Sequence, residues 1–178
     1  CYQIILKPPA WMRVSTIDLI GADFIGKLIM VKGFVVKIDT VYNFIKEGIY
    51  RCSSCGLKIS KKKIREKFRP FFFCPTKKCQ LGKIKGRLFI NIKESIFEKF
   101  QEIKIQETFN QKKNMEVFWS LNIRLFGQAT RTCLPGEKIK AAGILLPEIS
   151  ISSLKKIQCE KIYLEALFLE KNDIRTKN

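Results

Sequence analysis

Four of the seven cysteines fall at a spacing that can grip one metal ion. Cys52 and Cys55 stand two residues apart, eighteen residues follow, and Cys74 and Cys79 stand four residues apart. A two-residue spacer lets both sulfurs of Cys52-Ser53-Ser54-Cys55 turn toward one ion, and Gly56 relieves crowding where the chain doubles back. Pro75 helps to set the second turn. Thiolates suit Zn²⁺, and four of them leave no coordination position open, so the predicted site builds structure and performs no hydrolysis. Apparent binding energies of about 10–16 kcal/mol for structural zinc imply that the segment unfolds without its metal. A thioredoxin-like redox pair and ordinary buried cysteines are the competing readings, and the redox pair requires a CxxC that opens a helix inside a βαβ unit. Here the pair follows a strand-like run, and no βαβ alternation is visible. The odd cysteine count also suits intracellular metal binding better than a secreted disulfide framework. Cys1, Cys133 and Cys159 have no partner at ligand spacing and read as ordinary thiols.

Little else in the chain could carry a reaction. There is no histidine, and no acid pair or activated nucleophile stands out. The stretch Gly21-Ala22-Asp23-Phe24-Ile25-Gly26-Lys27-Leu28 nearly matches a phosphate loop, but Leu28 has no hydroxyl for Mg²⁺. The residues after Lys27 are strand formers, so no helix N-terminus would receive a phosphate.

Charge points elsewhere. The formal net charge is +18; four thiolates on Zn²⁺ would lower it to about +16. Such an excess favours polyanions, nucleic acid above all, though a general bias toward Lys, Ile, Phe and Asn would also produce it, and charge does not choose among DNA, RNA and acidic protein. Residues 57–69 hold Lys58, Lys61, Lys62, Lys63, Arg65, Lys67 and Arg69 against Glu66. That segment reads equally well as a phosphate contact or as a solvated hairpin.

The elements that must position these residues are mostly strands. Leu28–Ile38 reads as a long strand with Gly33 at a bulge or bend. Residues 45–51 read as a second strand, and 86–92, 100–106, Ser120–Phe126 and 138–146 read as strands by their alternation, the last after a Pro135-Gly136 turn. Ile103 and Ile105 share one face of their strand. In 160–170, Ile162, Leu164, Ala166 and Phe168 alternate, which favours strand over helix. The predicted fold is mainly β, a small barrel or sandwich. Its predicted divisions are a lead-in at 1–27, a β body at 28–51 and 86–170, a zinc subdomain inserted at 52–85, and a polar tail at 171–178. The chain begins with Cys1, has no signal-peptide pattern, and reads as a piece of a longer polypeptide. No apolar run approaches the ~18 residues of a membrane helix.

Several strings, in order, resemble the N-terminal domain of the minichromosome maintenance (MCM) helicase subunits. They are Ile25-Gly26-Lys27-Leu28 leading into Val31-Lys32-Gly33; Tyr50-Arg51-Cys52 with Cys55-Gly56; Gly86-Arg87-Leu88-Phe89; Phe100-Gln101-Glu102-Ile103-Lys104-Ile105-Gln106-Glu107; Pro135-Gly136-Glu137; and Gly143-Ile144-Leu145-Leu146-Pro147. Cys74-Pro75, Cys79-Gln80 and Tyr163-Leu164-Glu165-Ala166 are most similar to the seventh subunit. The resemblance implies an OB-fold barrel carrying the zinc insertion and a β-hairpin. It also implies a segment of a six-membered hetero-hexameric ring around single- or double-stranded DNA, pairing into a double hexamer. ATP and Mg²⁺ would then belong to a motor domain C-terminal to Asn178, and the fragment itself would be no enzyme. A helical subdomain would precede the OB-fold, and the nucleus would be its compartment in a eukaryote.

The resemblance also assigns DNA contacts. The hairpin after Gly143-Ile144-Leu145-Leu146-Pro147, about 148–158, would enter the ring channel with Lys155 and Lys156, whose ammonium groups could follow phosphates without reading bases. They could equally be two solvated lysines at a turn. Residues 107–120 match a loop that links the ring to the motor, with Lys112 and Lys113 at its exposed part. That loop often carries a Pro-Arg pair in the family; Phe118-Trp119 stands there instead, which leaves an arginine role without a residue. Trp119 could stack on a base or serve as core or interface. A free-standing zinc-ribbon OB protein that binds single-stranded nucleic acid alone is the rival reading. It would bind tightly as a monomer.

Overall fold

The computed structural model describes residues 7–62, 72–81, 86–107, 119–151 and 157–171. Its strands in chain order are β1 (Val14–Ser15), β2 (Leu28–Ile38), β3 (Tyr42–Cys52), β4 (Lys58–Lys62), β5 (Leu88–Ile90), β6 (Ile96–Gln106), β7 (Ser120–Phe126), β8 (Lys138–Ile151) and β9 (Ile157–Lys171). A five-residue helix, α1 (Lys77–Leu81), lies between β4 and β5 in the chain. Two compact units result, Cys1–Tyr42 with Lys99–Asn178, and Asn43–Glu98.

In the first unit the strand pairing closes on itself. β2 runs antiparallel to β8 from Leu28↔Ile144 to Phe34↔Lys138. β8 forms a long antiparallel hairpin with β9, and β9 lies parallel to β7 through Asn122↔Tyr163 and Arg124↔Glu165. β7 pairs antiparallel with β6, and β6 returns to β2 through Phe34↔Gln106 and Ile38↔Ile103. A circuit of this kind leaves few free edges. Period-two alternation explains its core: Val31, Val35, Ile103, Ile105, Leu121, Ile123, Leu125, Ile139, Leu145 and Leu164 all point into one cluster. Each such side chain contributes roughly 1.5–3 kcal/mol on burial.

Departures from strict alternation have local causes. The irregularity in β2 falls between Val35 and Lys37, opposite β6, not at Gly33. It adds a second outward position, so that Lys37 follows Val36 into solvent and Ile38 packs on the core. Gly33 is needed for space: a Cβ there would sit 2.5 Å from the carbonyl oxygen of Gln106. In β9 the register skips Leu167, since Ala142 pairs with Phe168 and Gly143 with Ala166. The skip shifts the inward phase, so Leu169 rather than Phe168 packs against the core. β8 continues through Pro147, which pairs with Ile162 of β9. β2 accompanies β8 only as far as Ile144, so Pro147 stands where the strand has one neighbour and a missing N–H is tolerated. Gln101 is buried and pins two loops: its Nε2 donates to the carbonyl of Asp39 at 3.0 Å, and its Oε1 accepts from the Arg131 N–H at 2.7 Å. Arg131 has a left-handed φ of 64°.

The second unit is a small sheet with β3 in the middle. β4 flanks it through Tyr50↔Ile59 and Arg51↔Lys58, and β5 through Tyr50↔Ile90, Arg51↔Phe89 and Cys52↔Leu88. Its core consists of Tyr50, Cys52, Cys74, Cys79 and Leu88, with Leu57, Ile59 and Ile90 packed against them. Three of those five buried residues are cysteines, so apolar burial alone supplies little of the cohesion.

Candidate metal centre

Each cysteine is held by local backbone bonds. Cys52 ends β3, and its N–H donates to the carbonyl of Leu57 at 2.9 Å. The Gly56 N–H returns to the carbonyl of Cys52 at 3.1 Å, and Gly56 takes a φ of +70° to do so, a conformation that costs a side chain with a Cβ. The Cys74 N–H donates to Gly86 at 2.9 Å, and the N–H groups of Cys79 and Gln80 both reach the Thr76 carbonyl at 3.0 Å. The first turn of α1 therefore presents Cys79 toward the knuckle.

The result is a compact sulfur cluster. All four Sγ atoms lie within 4.8 Å of one another. Cys52 and Cys79 are separated by 3.8 Å, and Cys55 and Cys74 by 3.6 Å. Four sulfurs placed tetrahedrally at a Zn–S distance of about 2.3 Å would stand about 3.8 Å apart. The donor set thus fits zinc in type, number and spread. Cys52, Cys74 and Cys79 are buried, while Cys55 is exposed. Among the described residues this is the one group of three or more His, Cys, Asp or Glu side chains close enough to hold an ion.

Hydrogen-bond donors face the sulfurs, as thiolate ligands require. The Thr76 hydroxyl lies 2.9 Å from Cys74 Sγ and 3.7 Å from Cys55 Sγ, and the Ser54 N–H lies 3.4 Å from Cys52 Sγ. The backbone at Leu57, and then the Thr76 hydroxyl, pull the Cys55 thiol down to about 6. Cys79 moves the other way, to about 11: the Thr76 hydroxyl acts downward, but the Cys55 sulfur, burial and the other two sulfurs outweigh it. One thiolate forms readily in this cluster and the next is opposed. A divalent cation bound here would favour the thiolate form of its ligands.

Gly86 closes the site. A Cβ at this position would stand 2.7 Å from Cys52 Sγ and 3.0 Å from Cys79 Sγ. Nothing in the cysteine spacing identifies it; the sequence shows it only as the first residue of an alternating run and of the string Gly86-Arg87-Leu88-Phe89. Thr76 was equally invisible, being a threonine in a loop.

The other residues singled out in the sequence fare differently. Lys112, Lys113, Lys155 and Lys156 lie outside the described residues, as do Cys1, the Cys159 side chain and positions 63–69 of the basic segment. Cys133 is buried in the core of the first unit. Of the basic segment, Lys58 is committed to Glu94 at 2.6 Å. Trp119 is 53% exposed, which removes a core role, and its carbonyl accepts the Glu107 N–H at 3.3 Å. The near phosphate loop forms a single 3-10 turn at Ala22–Phe24, and β2 begins at Leu28. No helix follows to receive a phosphate.

Residues 17–148 match the MCM OB domain family. The DNA replication licensing factor MCM7 of Arabidopsis thaliana is 32% identical over 168 residues, covering 93% of this chain and 23% of that protein. Its namesake in Schizosaccharomyces pombe is 35% identical over 133 residues, covering 75% and 17% respectively. The licensing factor mcm6 of the same yeast is 28% identical over 140 residues, covering 79% and 15%. The crystal structure of the N-terminal domain of an archaeal MCM superposes with a TM-score of 0.70 at 24% identity, covering 89% of this chain and 61% of that one. The OB-fold reading therefore holds, with the strand circuit as its frame. The chain spans less than a quarter of the length of these curated relatives.

Proposed function

Because the chain belongs to the MCM family, through its OB domain at residues 17–148, we propose that it is the DNA-binding and ring-assembly segment of a hexameric replicative helicase subunit, acting in replication initiation and fork unwinding. The observation that carries this reading is the four-sulfur cluster standing in a family-matched OB chain of formal charge +18. In this reading Cys52, Cys55, Cys74 and Cys79 hold one Zn²⁺, which cross-links the knuckle and α1 and offers no open position for catalysis. The segment itself performs no chemistry. ATP and Mg²⁺ belong to a motor region of the parent protein, whose site of action is the nucleus.

The OB strands supply a rigid segment of a hetero-hexamer, and the zinc unit makes subunit or ring-to-ring contacts in a double hexamer. Lys155 and Lys156, with Lys112 and Lys113, follow the phosphates of single- or double-stranded DNA without selecting bases. The test is a salt titration of single-stranded DNA binding by the zinc-loaded chain. Lys155→Ala with Lys156→Ala should weaken binding and reduce the log–log salt slope by about 1.4 for two lost single-strand contacts. An unchanged affinity and slope would take both lysines out of the DNA path.

A further inference from the structure

The second unit is more strongly charged than the chain as a whole. Residues 43–98 hold 15 of the 34 Lys and Arg but 4 of the 16 acidic residues, a formal +11 out of +18. Its sheet is two-faced. One face, with Tyr50, Cys52, Ile59 and Leu88, packs on the sulfur cluster. On the other face the register aligns Lys58 of β4, Arg51 of β3 and Phe89 of β5 in one row. Two residues back along the chain from Phe89 stands Arg87, paired antiparallel with Phe73. The ladder bonds flank that pair, running from Cys74 N–H to Gly86 and from Leu88 N–H to Phe72. Phe73 and Arg87 are thus a non-hydrogen-bonded pair, the kind whose side chains approach most closely.

Both rings face solvent, Phe73 being 61% and Phe89 58% exposed. They are diagonal cross-strand neighbours, a relation that spans about 7–8 Å. The cations among them are under-neutralised. Arg51 and Lys58 share one carboxylate, Glu94, at 2.8 and 2.6 Å. Arg87 has no ion pair among the described residues. Burying such a surface against an ordinary protein face would strand at least one cation. A partner offering regularly spaced negative charge together with flat π faces satisfies all five side chains. Single-stranded DNA offers both; a duplex keeps its bases stacked inside.

We propose that the outer face of the β4–β3–β5 sheet is a single-stranded DNA stacking surface, in which Phe73 and Phe89 each take a base while Arg87, Arg51 and Lys58 follow the phosphates. This rests on the DNA-handling reading of the chain but places contacts on a surface separate from the four lysines named above. The stacking is sequence-tolerant, because every base has a π face.

The experiment compares an oligothymidylate with an abasic oligomer of equal length, which has the same phosphates and no bases. Fluorescence anisotropy with the zinc-loaded 178-residue chain gives affinity and salt slope for each. Wild type should prefer the thymidylate. The double variant Phe73→Leu, Phe89→Leu keeps apolar area and removes the rings; it should lose on the order of tenfold per ring on thymidylate and almost nothing on the abasic strand. Its salt slope should stay as it was. Arg87→Ala should weaken both ligands and lower the slope by about 0.7. Equal wild-type affinity for the two ligands overturns the proposal without any variant. So does a thymidylate preference that survives in the double variant. Sedimentation identifies the protein-contact alternative: a double variant with unchanged DNA binding but altered self-association makes the face a subunit contact and rejects the proposal. If either of the first two results appears while Lys155→Ala with Lys156→Ala still weakens binding, only the stacking surface falls. If neither ligand binds at low salt, the DNA-handling reading falls with it.

Discussion

The two compact units solve the problem of cohesion in opposite ways. In the unit formed by Cys1–Tyr42 and Lys99–Asn178, five strands pair in a closed circuit around one apolar cluster, and no single side chain dominates. In Asn43–Glu98 a three-stranded sheet covers a core in which three of the five buried residues are cysteines. The first kind of cohesion is distributed over many apolar side chains. The second centres on four sulfurs at metal-ligand spacing, where the Cys55 thiol is pulled down and the Cys79 thiol is pushed up. The difference implies two separable stabilities within one chain.

The largest effect should follow removal of the metal. Chelation, or Cys74→Ser, should forfeit on the order of 10 kcal/mol of metal-coupled folding energy. Amide hydrogen exchange would then show Tyr50, Ile59 and Leu88 losing protection while Ile123 and Leu125 keep theirs. Simultaneous loss in both units would erase the distinction. The converse substitution sharpens it. Ile123 is fully buried in the first unit, and Ile123→Ala should cost about 2–5 kcal/mol there, read by denaturant unfolding, with zinc content unchanged.

Gly86→Ala tests the fit of the chain over the sulfurs. Its Cβ would meet Cys52 Sγ at 2.7 Å, so zinc affinity in a competition with a coloured chelator should fall roughly tenfold or more. An unaltered affinity would mean the backbone at Gly86 can retreat without cost. The smallest effect belongs to Glu137 of the first unit. The Leu134 N–H at 2.8 Å and then Lys171 at 3.0 Å hold its carboxyl below the ordinary glutamate range. A depressed folded value means stabilisation that is present above the ordinary range, near pH ~4.3, and is lost as pH falls through the folded value. Wild type should therefore exceed Glu137→Gln in thermal midpoint slightly at neutral pH, and the gap should close in acid. A gap that widens on acidification would contradict the assigned partners.

Much of this was legible in the residues. β7 matches its predicted bounds because alternation there is uninterrupted, β2 because a run of apolar and β-branched residues marks it despite the irregularity after Val35, and the four cysteines that cluster stood out by their spacing. β4 was not. In Lys58-Ile59-Ser60-Lys61-Lys62 only Ile59 is apolar and inward, so a paired strand looks like a charged loop. α1 is one turn long, too short for a helical period, and exists because Thr76 accepts two backbone N–H groups. The misplaced bulge in β2 came from treating Gly33 as conformationally special; its role is close approach to Gln106, which depends on a strand more than seventy positions away. In β9 the skip at Leu167 could not be seen, because a shift in pairing exchanges Phe168 for Leu169 without altering the alternation of types. Gly86 and Thr76 were hidden for a related reason: each acts on sulfurs brought near only by folding.

One determination bears most directly on the account: the metal content of purified, reduced protein, measured together with hydrogen exchange across residues 43–98. The account predicts one zinc ion per chain and slow exchange in β3 and β5. Metal-free protein in which those strands exchange just as slowly would contradict it.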